Sequence, residues 1–491
     1  MSESKAVSRV ARTVIILAAG EGKRMKSQLP KVLHPLLGRS LVGHVLAATE
    51  PLSGRTAVVV GHQAELVSEH LAQIAPQAQS ILQADQRGTG HAVRTALDAL
   101  EDVTGTVLVV NADVPLLRTE TLTALIERHE SEAAAATVLT AVVPDPGNLG
   151  RIVRDALGGL AAIVEARDAD AEQLAIREIN AGVYAFEADA LRDALGKLTT
   201  HNAQGEEYLT DVFGLLLAAG RRLAVHTAPA VEETLGCNDR AELARLGALL
   251  RDRINDGHMR AGVTIVDPAS TWIEPAVTIE PDAVIEPNTQ LKGATSVAAG
   301  AVVGPEVTLI DTVVGERAEV VKAHAVLAEI GPQAKVGPYA YLRPGTTLGV
   351  KSKVGTFVEV KNSSLGEGTK VPHLSYVGDA TVGDFTNIGA ANVVANYNWR
   401  SKSRTVIGSH VNTGSDSVLV APVTLGDGAS TAAGSVVDAD VPPGALAVAR
   451  ERQVNKEGWI FKRRPDSAAA QAARAALDAA GYADSGTSDQ G

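Results

Sequence analysis

A strict six-residue repeat of aliphatic side chains runs through the second half of the chain, from about Val263 onward. Its first seven members are Ile273, Ile279, Ile285, Leu291, Val297, Val303 and Leu309. Four residues after the first six of these comes a compact residue, namely Val277, Ala283, Thr289, Thr295, Ala301 and Val307. If aliphatic residues fill roughly a quarter of positions, seven in register arise by chance about once in ten thousand trials. The period predicts a parallel β-helix whose short strands each point one aliphatic residue inward.

The composition suits such a core, because aromatic residues make up only 3% of the chain. Each inward aliphatic residue contributes roughly 1.5–3 kcal/mol of burial, so stacked coils can stabilise one another without aromatic residues. The register resumes through "IGPQAKVGPYAYLRPGTTLG", "VGDATVGDFTNIGAANV" and "LGDGASTAAGSVV". Glycine often follows the aliphatic residue, where we expect it to permit the bend between strands, at Gly304, Gly315, Gly331, Gly383, Gly389 and Gly426.

The first half alternates short apolar runs with helical patterns. "RTVIILAAG", "TAVVVGH" and "GTVLVVNADVPLL" read as buried strands, and "SLVGHVLAATE", "GHAVRTALDAL" and "TETLTALIERHE" as helices between them. This alternation predicts an α/β fold with a mostly parallel, doubly wound sheet. Ligands of such sheets bind beyond the carboxyl ends of the strands. Because "LAAGEGKRM" and "NADVP" both leave strands at that edge, we expect them to face one site.

Charge and cysteine content exclude some classes of protein. The net charge of -12 argues against a general nucleic-acid binder. Cys237 is the only cysteine, so no intrachain disulfide can form, which fits a cytoplasmic protein. The run "TVIILAA" after Arg9 and Arg12 mimics a short signal peptide, but it leads into "GEGKRM" and reads as a buried strand. No stretch is long enough to span a membrane, so we expect no membrane partner.

The stretch "LAAGEGKRMKSQLPK" is suited to holding phosphate groups. It lacks the Lys-Ser/Thr ending of a P-loop and the glycine spacing of a dinucleotide fingerprint. Gly20 and Gly22 let backbone N–H groups approach an anion closely. Arg24 and Lys31 add positive charge beyond the turn.

These motifs resemble known families. The loop, with "DQRGTGHAV" and "NADVPLL", is similar to the sugar-1-phosphate nucleotidyltransferases, whose signature is "LAAG.G.RM" followed by "PK". The hexads resemble the left-handed β-helices of acyltransferases, which assemble as trimers. Together the halves resemble the bacterial family of bifunctional N-acetylglucosamine-1-phosphate uridyltransferase / glucosamine-1-phosphate acetyltransferases, over nearly all of the chain except the first ten or so residues and the tail.

The resemblance implies four segments. We expect a nucleotidyltransferase (pyrophosphorylase) domain over 1–238, a linker helix over 239–262, a left-handed β-helix acetyltransferase domain over 263–464 and an Ala-rich, partly disordered tail over 465–491. Asp239 can cap the linker helix, whose apolar stripe comprises Leu243, Leu246, Leu250 and Ile254. A cytoplasmic homotrimer joined through the β-helix, acting on small molecules and supplying cell-wall precursors, is also implied.

For the first site, the resemblance implies UTP and a sugar-1-phosphate as substrates and Mg²⁺ as cofactor. A sugar-1-phosphate oxygen attacks the α-phosphate of UTP and pyrophosphate leaves. Arg24 and Lys31 match the catalytic cations, and Asp113 and Asn238 match the Mg²⁺ ligands, because magnesium prefers hard oxygen donors. The nucleotide- and sugar-binding positions match Leu17, Ala18, Ala19, Gly20, Lys31, Gln83, Gly88, Thr89, Asn111, Ala112, Asp113, Gly150, Glu165, Asn180 and Asn238.

Within this set, Gln83, Gly88 and Thr89 are expected to read the uracil, with Gly88 leaving room for a flat base. The sugar is assigned to Gly150, Glu165 and Asn180. The chain departs from the family pattern twice: Ala112 stands where relatives commonly carry glycine, and "GCND" replaces the usual valine-asparagine pair.

For the second site, the resemblance implies acetyl transfer from acetyl-CoA. His373 matches the general base, because a near-neutral pKa suits removal of a proton from an attacking sugar amine. Counting from inward Val371 places His373 off the core face. Sugar-phosphate-binding positions match Arg343, Lys361, Tyr376 and Asn387, and acetyl-CoA positions match Ala390, Asn396, Tyr397, Ser415, Ala433 and Arg450. Asn398 and Trp399 replace the Asp-Gly that relatives often have after the Asn-Tyr pair.

Two other functions remain open at this point. One is a monofunctional sugar-1-phosphate nucleotidyltransferase with a structural hexapeptide-repeat tail, against which His373, Lys361 and Arg343 argue. The other is a non-enzymatic binding or scaffold protein, against which Arg24, Lys31 and Asp113 argue.

Overall fold

The computed structural model describes residues 11–481. The first ten residues and the end of the tail, "SGTSDQG", for which we predicted disorder, lie outside this range. Among the helices within it, none has the length and apolarity needed to cross a bilayer.

The first half forms a mixed sheet. Its seven main strands lie in the spatial order Leu223–Thr227, Ala136–Val142, Glu178–Glu187, Thr106–Asn111, Arg12–Ala18, Arg55–Val60 and Gln79–Leu82. Only Glu178–Glu187 runs antiparallel to its neighbours in this row. Arg151–Arg154 and Leu160–Val164 extend the sheet beside it. A small hairpin joins Pro35–Leu36 to Arg39–Ser40.

Helices cover both faces of this sheet. They span Leu41–Thr49, Ala64–Ile74, Thr89–Ala99, Thr119–Ser131, Ala171–Leu174, Ala188–Leu195 and Asp211–Ala218, with 3₁₀ turns at Lys23–Met25, Lys31–Leu33, Glu50–Leu52 and Val231–Thr234. The central strand sends Ile15 into one core and Val14 and Ile16 into the other. Because neighbouring side chains along a strand point to opposite faces, one apolar strand supplies both cores. The predicted doubly wound α/β fold is confirmed.

The helix Arg240–Arg260 follows, capped by Asp239, which accepts hydrogen bonds from the amides of Ala241 and Glu242 at 2.9 Å. Leu246 and Leu250 are buried against the first half, in one cluster with Met25 and Leu116. Toward the other end, buried Asn255 donates from Nδ2 to the carbonyls of Pro268 and Thr271, at 3.0 Å each. The helix therefore packs on both halves.

The second half is a left-handed parallel β-helix, as predicted, and its strands form three sheets. The first sheet stacks Thr264–Ile265, Val284–Ile285, Val302–Val303, Glu319–Val320, Lys335–Val336, Lys353–Thr356 and Lys370–His373. The second stacks Trp272–Ile273, Gln290–Lys292, Thr308–Ile310, Ala323–Val326, Ala340–Leu342, Glu359–Lys361, Tyr376–Gly378, Val393–Ala395, Val418–Val420 and Val436–Val437. The third stacks Thr278–Ile279, Ser296–Val297, Val313–Val314, Ala328–Ile330, Thr346–Leu348, Ser364–Leu365, Ala380–Val382, Thr405–Ile407 and Val423–Leu425, and a last pair joins Ser430–Thr431 to Leu446–Ala447.

The predicted inward residues form the β-helix core. Six of the first seven hexad aliphatics are at most 1% exposed, and Ile279 is partly buried against the same cluster. The six compact residues are buried as well. The residue before the compact one takes positive φ at many corners, as at Asp282 (φ 65°) and Asn288 (φ 59°), so the chain bends there.

The reason we predicted for the hexad glycines is wrong at most of them. Only Gly304, with φ at 116°, has the left-handed conformation. A Cβ at Gly331 would lie 2.4 Å from the carbonyl oxygen of Leu348, and one at Gly389 would lie 2.5 Å from that of Thr413. Glycine is needed there because the backbone of the next coil approaches too closely for a side chain.

After the last coil, helices span Trp459–Arg463 and Ala468–Ala479. Ser467 caps the second helix, because its side chain accepts a hydrogen bond from the amide of Ala470. The residue Ala470 is fully buried. The guanidinium of Arg474 lies 5.4 Å from the ring centroid of Phe461. The tail therefore contains a helix that packs on the short helix before it.

Candidate active sites

The phosphate loop begins where the strand Arg12–Ala18 ends. Gly22 has φ at 64°, and a Cβ built there would lie 2.6 Å from Cβ of Lys31. A side chain at this position would therefore push against Lys31. The carbonyl of Ala19 accepts hydrogen bonds from the amide of His62 at 3.2 Å and from Nε2 of Gln86 at 2.9 Å, which fixes the start of the loop.

Lys31 and Asp113 meet at the carboxyl edge of the sheet. Nζ of Lys31 donates to Oδ2 of Asp113 at 2.5 Å, and both side chains are largely buried. The amide of Ala112 donates to the carbonyl of Leu17 at 3.0 Å, so the two loops leave adjacent strands side by side. Ala112 itself is 1% exposed and has no positive φ, so alanine is accommodated where relatives carry glycine.

Asn238 reaches the same place from far along the chain. The amide of Cys237 donates to the carbonyl of Asp113 at 2.9 Å, which aligns "GCND" with the aspartate. Oδ1 of Asn238 accepts a hydrogen bond from Arg24 at 2.8 Å. The backbone amide of Asn238 donates to Oε2 of Glu242 at 2.6 Å. The structure thus brings together all four residues predicted to be catalytic cations or metal ligands at this site.

The oxygen atoms here fit a hard cation. Asp113 and Asn238 present a carboxylate and an amide oxygen, the donor types that Mg²⁺ prefers. Both oxygens now accept from cationic side chains, so positive charge is already stabilised at that point. No cluster of three or more His, Cys, Asp or Glu side chains suited to a metal occurs within residues 11–481. Magnesium does not need one, because it keeps several of its waters.

Ten of the residues predicted to bind the nucleotide line one pocket of about 350 Å³: Leu17, Ala18, Ala19, Gly20, Lys31, Gln83, Gly88, Thr89, Asn111 and Asp113. Gln86 and Glu206 also line it, although the motif comparison did not single them out. A larger cleft of about 610 Å³ lies at the amino end of Arg55–Val60 and contains none of the predicted residues. The pocket at the carboxyl edge therefore matches the predicted chemistry better than the larger cleft does.

The loop around Gly88 is held by a distant segment. A Cβ at Gly88, where φ is 113°, would lie 2.5 Å from the carbonyl oxygen and 2.8 Å from the amide nitrogen of Glu207. Glycine is therefore required by contact with protein backbone, a reason that differs from the room for a base that we predicted. Nε2 of Gln83 donates to the carbonyl of Gly88 at 3.2 Å, which ties the two predicted uracil positions together.

The predicted sugar positions cluster beside this pocket. The amide of Asn180 donates to the carbonyl of Gly150 at 2.9 Å, and a Cβ at Gly150 would lie 3.5 Å from Oε1 of Glu165. A Cβ at Gly182 would lie 2.4 Å from Nδ2 of Asn111, so the bulge that carries Asn180 adjoins the nucleotide pocket.

Burial raises the pKa of Glu165, partly offset by a hydrogen bond from Thr210 and reinforced by Asp168 and Asp211. A carboxyl group that resists ionisation can both donate to and accept from a sugar hydroxyl. The position of Glu165 therefore suits contact with a sugar.

In the second half, five of the predicted acetyltransferase residues lie along one corner of the coil. His373 is exposed and ends a strand of the first sheet, while Val371 is fully buried, as predicted. The carbonyl of His373 accepts from the amide of Ala391 at 3.1 Å, that of Ala390 from Asp416 at 2.7 Å, and that of Ser415 from Gly434 at 2.9 Å. Consecutive coils thus bring His373, Ala390 and Ser415 into one column.

Ala433 and Arg450 continue this column. A Cβ at Gly414 would lie 2.4 Å from the amide nitrogen of Ala433, and one at Gly434 would lie 3.9 Å from Cδ of Arg450. The small side chains leave the corner open along its length, which suits an extended pantetheine arm.

A polar network lies at the corner where strands of the second sheet end. Buried Asp379 accepts from Asn362 at 2.6 Å and from Asn396 at 2.5 Å, and its Oδ2 lies 3.5 Å from Nζ of Lys361. Burial opposes ionisation of Asp379, but these hydrogen bonds and the ammonium of Lys361 outweigh it and lower its pKa. Nδ2 of Asn396 also lies 3.4 Å from the hydroxyl of Tyr376.

Cations dominate the same corner. Lys402 lies beside Lys361, whose positive charge lowers the pKa of Lys402. Arg343 pairs with Glu359 at 2.9 Å. Asn387 lies apart from them, because it continues the first sheet through backbone bridges to Lys370 on one side and Asn412 on the other. The sequence motifs did not identify Asp379 or Lys402, because both residues make their contacts with residues of neighbouring coils.

The loop at Asn398 and Trp399 is a closed turn. Oδ1 of Asn398 accepts from the amides of Arg400 at 3.1 Å and Ser401 at 2.8 Å. The hydroxyl of Tyr397 donates to the carbonyl of Trp399 at 2.8 Å. Trp399 has φ at 73° and a side chain that is 90% exposed. The Asp-Gly of relatives is thus replaced by an asparagine turn that keeps the loop beside Asn396.

Comparison with known proteins bears on both halves. The model of the MobA-like NTP transferase domain matches residues 14–179, and that of the GMPPB C-terminal domain matches residues 324–429. The "Bifunctional protein GlmU" of Streptomyces coelicolor is 59% identical over 94% of this chain and 96% of its own. Those of Streptomyces avermitilis and Mycolicibacterium vanbaalenii are 57% and 53% identical, over 94% and 93% of this chain and 97% and 94% of their own.

These relatives align with both halves of the chain, and more than half of the aligned residues are identical. This favours the bifunctional interpretation over a nucleotidyltransferase with a structural tail. The chain belongs to the GlmU family of bifunctional uridyltransferase and acetyltransferase enzymes.

Proposed function

We propose that the chain makes UDP-N-acetylglucosamine at two separate sites. Acetyl transfer from acetyl-CoA to glucosamine-1-phosphate occurs on the β-helix. Uridylyl transfer from UTP to N-acetylglucosamine-1-phosphate follows in the first half and releases pyrophosphate. The observation that carries this proposal is the meeting of Lys31, Asp113 and Asn238 beside a pocket lined by the phosphate loop.

At the first site, the backbone from Leu17 to Gly20 and the ammonium of Lys31 hold the phosphates of UTP. An oxygen of the sugar phosphate attacks the α-phosphorus, and the bond to the bridging oxygen of pyrophosphate breaks. Arg24 stabilises the departing pyrophosphate by its charge. Phosphoryl transfer depends on positioning and charge neutralisation rather than on a protein nucleophile.

Asp113 and Asn238 are the proposed Mg²⁺ ligands. When bound, the ion neutralises phosphate charge as it develops. Lys31 and Arg24 occupy the ligand oxygens in this structure, so both must turn toward the phosphates when nucleotide and ion bind.

At the second site, His373 takes a proton from the sugar amine as the nitrogen attacks the thioester carbon of acetyl-CoA. The carbon–sulfur bond then breaks and CoA leaves. Arg343 and Lys361 hold the sugar phosphate with Tyr376 and Asn387, and the column from Ala390 to Arg450 holds the CoA. The network of Asp379 supports this assignment, because it orders Lys361 and Asn396 at one corner.

The boundaries at residues 238, 262 and 464, the cytoplasmic location and the homotrimer are parts of the same proposal. Trimer formation is tested by light scattering on the full chain during gel filtration. A mass near that of one chain, 50.8 kDa, would contradict it.

A two-substrate assay tests the function. We expect CoA release from acetyl-CoA and glucosamine-1-phosphate, and pyrophosphate release from UTP and N-acetylglucosamine-1-phosphate only with Mg²⁺ present. Chelation should stop the second reaction and spare the first. Absence of CoA release would instead favour the monofunctional alternative.

A further inference from the structure

The segment 206–210 packs across the loop that carries the predicted uracil positions. The amide of Glu207 donates to the carbonyl of Arg87 at 2.7 Å, and the amide of Gly90 donates to the carbonyl of Glu207 at 2.8 Å. The amide of Leu209 donates to Oγ1 of Thr89 at 3.0 Å. This loop therefore takes its conformation from a segment more than a hundred residues away.

The side chain of Glu207 reinforces this contact. It is 9% exposed, and its Oε2 accepts from the guanidinium of Arg94 at 2.5 Å. Arg94 lies on the helix Thr89–Ala99, directly after the loop, and also donates to the carbonyl of Leu195 at 3.1 Å. Arg87 lies 3.8 Å from the other carboxylate oxygen. One buried carboxylate thus joins both ends of the loop.

The same segment reaches the predicted sugar position. Oγ1 of Thr210 donates to Oε1 of Glu165 at 3.3 Å. Glu206, next to Glu207, lines the nucleotide pocket. The segment therefore extends from the nucleotide pocket to the predicted sugar position at Glu165. A shift of the backbone at Glu207 would move residues at both places.

We propose that Glu207 is a positioning residue for uridylyl transfer, which sets the shape of the uracil-reading loop through Arg94 and the backbone of Arg87 and Gly90. It does not contact the reacting atoms. Its loss leaves the cation of Arg94 without its partner and frees the loop to move, so the base is read less well. This inference rests on the proposed uridylyl transfer.

The test compares E207A, E207Q and R94Q in the full chain with Mg²⁺. E207A removes the charged hydrogen bond that holds the loop, so it should raise the KM for UTP about tenfold or more. The preference for UTP over CTP, measured as the ratio of kcat/KM values, should fall. The kcat should change much less, and E207Q, which keeps an acceptor oxygen, should lose less than E207A.

A double variant separates this role from a purely structural one. If Glu207 acts through Arg94, the KM of E207Q/R94Q should be no worse than that of the poorer single variant. The matched control is E130Q, because Glu130 pairs with Arg12 at 2.8 Å in the same domain, outside the residues lining the pocket. It should leave the KM for UTP and the base preference unchanged. Acetyl transfer reports that each variant is folded in its β-helix.

An unchanged KM and base preference in E207A, or equal effects from E130Q, would overturn the inference while leaving uridylyl transfer intact. If E207A does not fold, the KM for UTP and the base preference of E207Q and R94Q are compared with those of E130Q instead. Unchanged values in both variants would overturn the inference. Absence of pyrophosphate release by the unsubstituted chain would overturn the proposed function and this inference with it.

Discussion

The ammonium group of Lys31 donates to the carboxylate of Asp113 over 2.5 Å, although 82 residues separate them in the chain. Lys31 follows the phosphate loop, and Asp113 follows the neighbouring parallel strand. A nucleotide and its metal ion would compete for the two partners of this pair. The pair therefore lies where we propose that the phosphates bind.

Replacing Asp113 with alanine should abolish uridylyl transfer and spare acetyl transfer. Without the carboxylate, a divalent ion has lost its charged ligand, and we expect kcat to fall by about 10²–10³-fold or more. Pyrophosphate and CoA release measured on the same preparation check this. D145A, on the exposed turn before Gly147, is the control and should change neither reaction. Loss of both activities in a folded D113A protein would show that the sites are not independent.

Replacing His373 with alanine should have the opposite effect. A general base contributes about 10²–10⁴-fold, so CoA release should fall by that factor while pyrophosphate release stays the same. His324 is also exposed on a β-helix strand, and H324A is the matched control. Acetyl transfer at the normal rate in H373A would remove His373 from the mechanism.

Gly22 should tolerate no side chain. Alanine there must adopt φ near 64° and would also lie 2.6 Å from Cβ of Lys31. Conformational strain costs about 1–2 kcal/mol, and displacement of Lys31 should raise the KM for UTP about tenfold. G158A separates the two effects, because Gly158 has φ at 83° with nothing within 4 Å of its Cβ position. Equal KM values in G22A and G158A would mean that the contact with Lys31 has no role.

Leu291 should contribute strongly to the stability of the β-helix. It is fully buried, so L291A should lower the free energy of unfolding by about 2–5 kcal/mol. Leu446 is 62% exposed on the last pair of strands, and L446A should cost about 0.5 kcal/mol or less. Denaturant unfolding, followed through loss of acetyl transfer, compares the two. Similar costs would show that the six-residue pattern does not mark the core.

Cys237 should react slowly with iodoacetamide while the protein is folded. Burial, more than any charge nearby, raises the pKa of its thiol to about 11, so the reactive thiolate is scarce at pH 8. Since the ordinary value is 9.0, the folded state keeps a proton that the unfolded chain loses. The stability this provides is full below pH 9 and is lost as the pH rises toward 11.

Mass spectrometry of the labelled chain, with and without guanidinium, measures this reaction. Labelling should accelerate sharply on unfolding or as the pH approaches 11. Rapid labelling of the folded chain at pH 8 would contradict the burial of this residue.

Much of the fold could be predicted because each part repeats a local pattern. Every hexad places its own inward residue, so Leu291 or Val303 can be assigned without knowing the rest of the coil. The strand Arg12–Ala18 can likewise be recognised as buried, because it contains an unbroken apolar run. The positions of Lys31 and Asp113 at one edge follow from strand direction alone. The reasons for glycine did not follow, because close approach between coils is a contact with residues elsewhere in the chain.

By itself, the sequence determined the two periodicities, the short motifs and the direction in which each strand delivers its loop, because these depend on neighbours within a few residues. Only the tertiary structure decided which distant groups meet. Glu207 lies 113 residues from Arg94, and Asn238 lies 214 residues from Arg24. No local pattern encodes such pairs, because they form only when the folded backbone brings the two segments into contact.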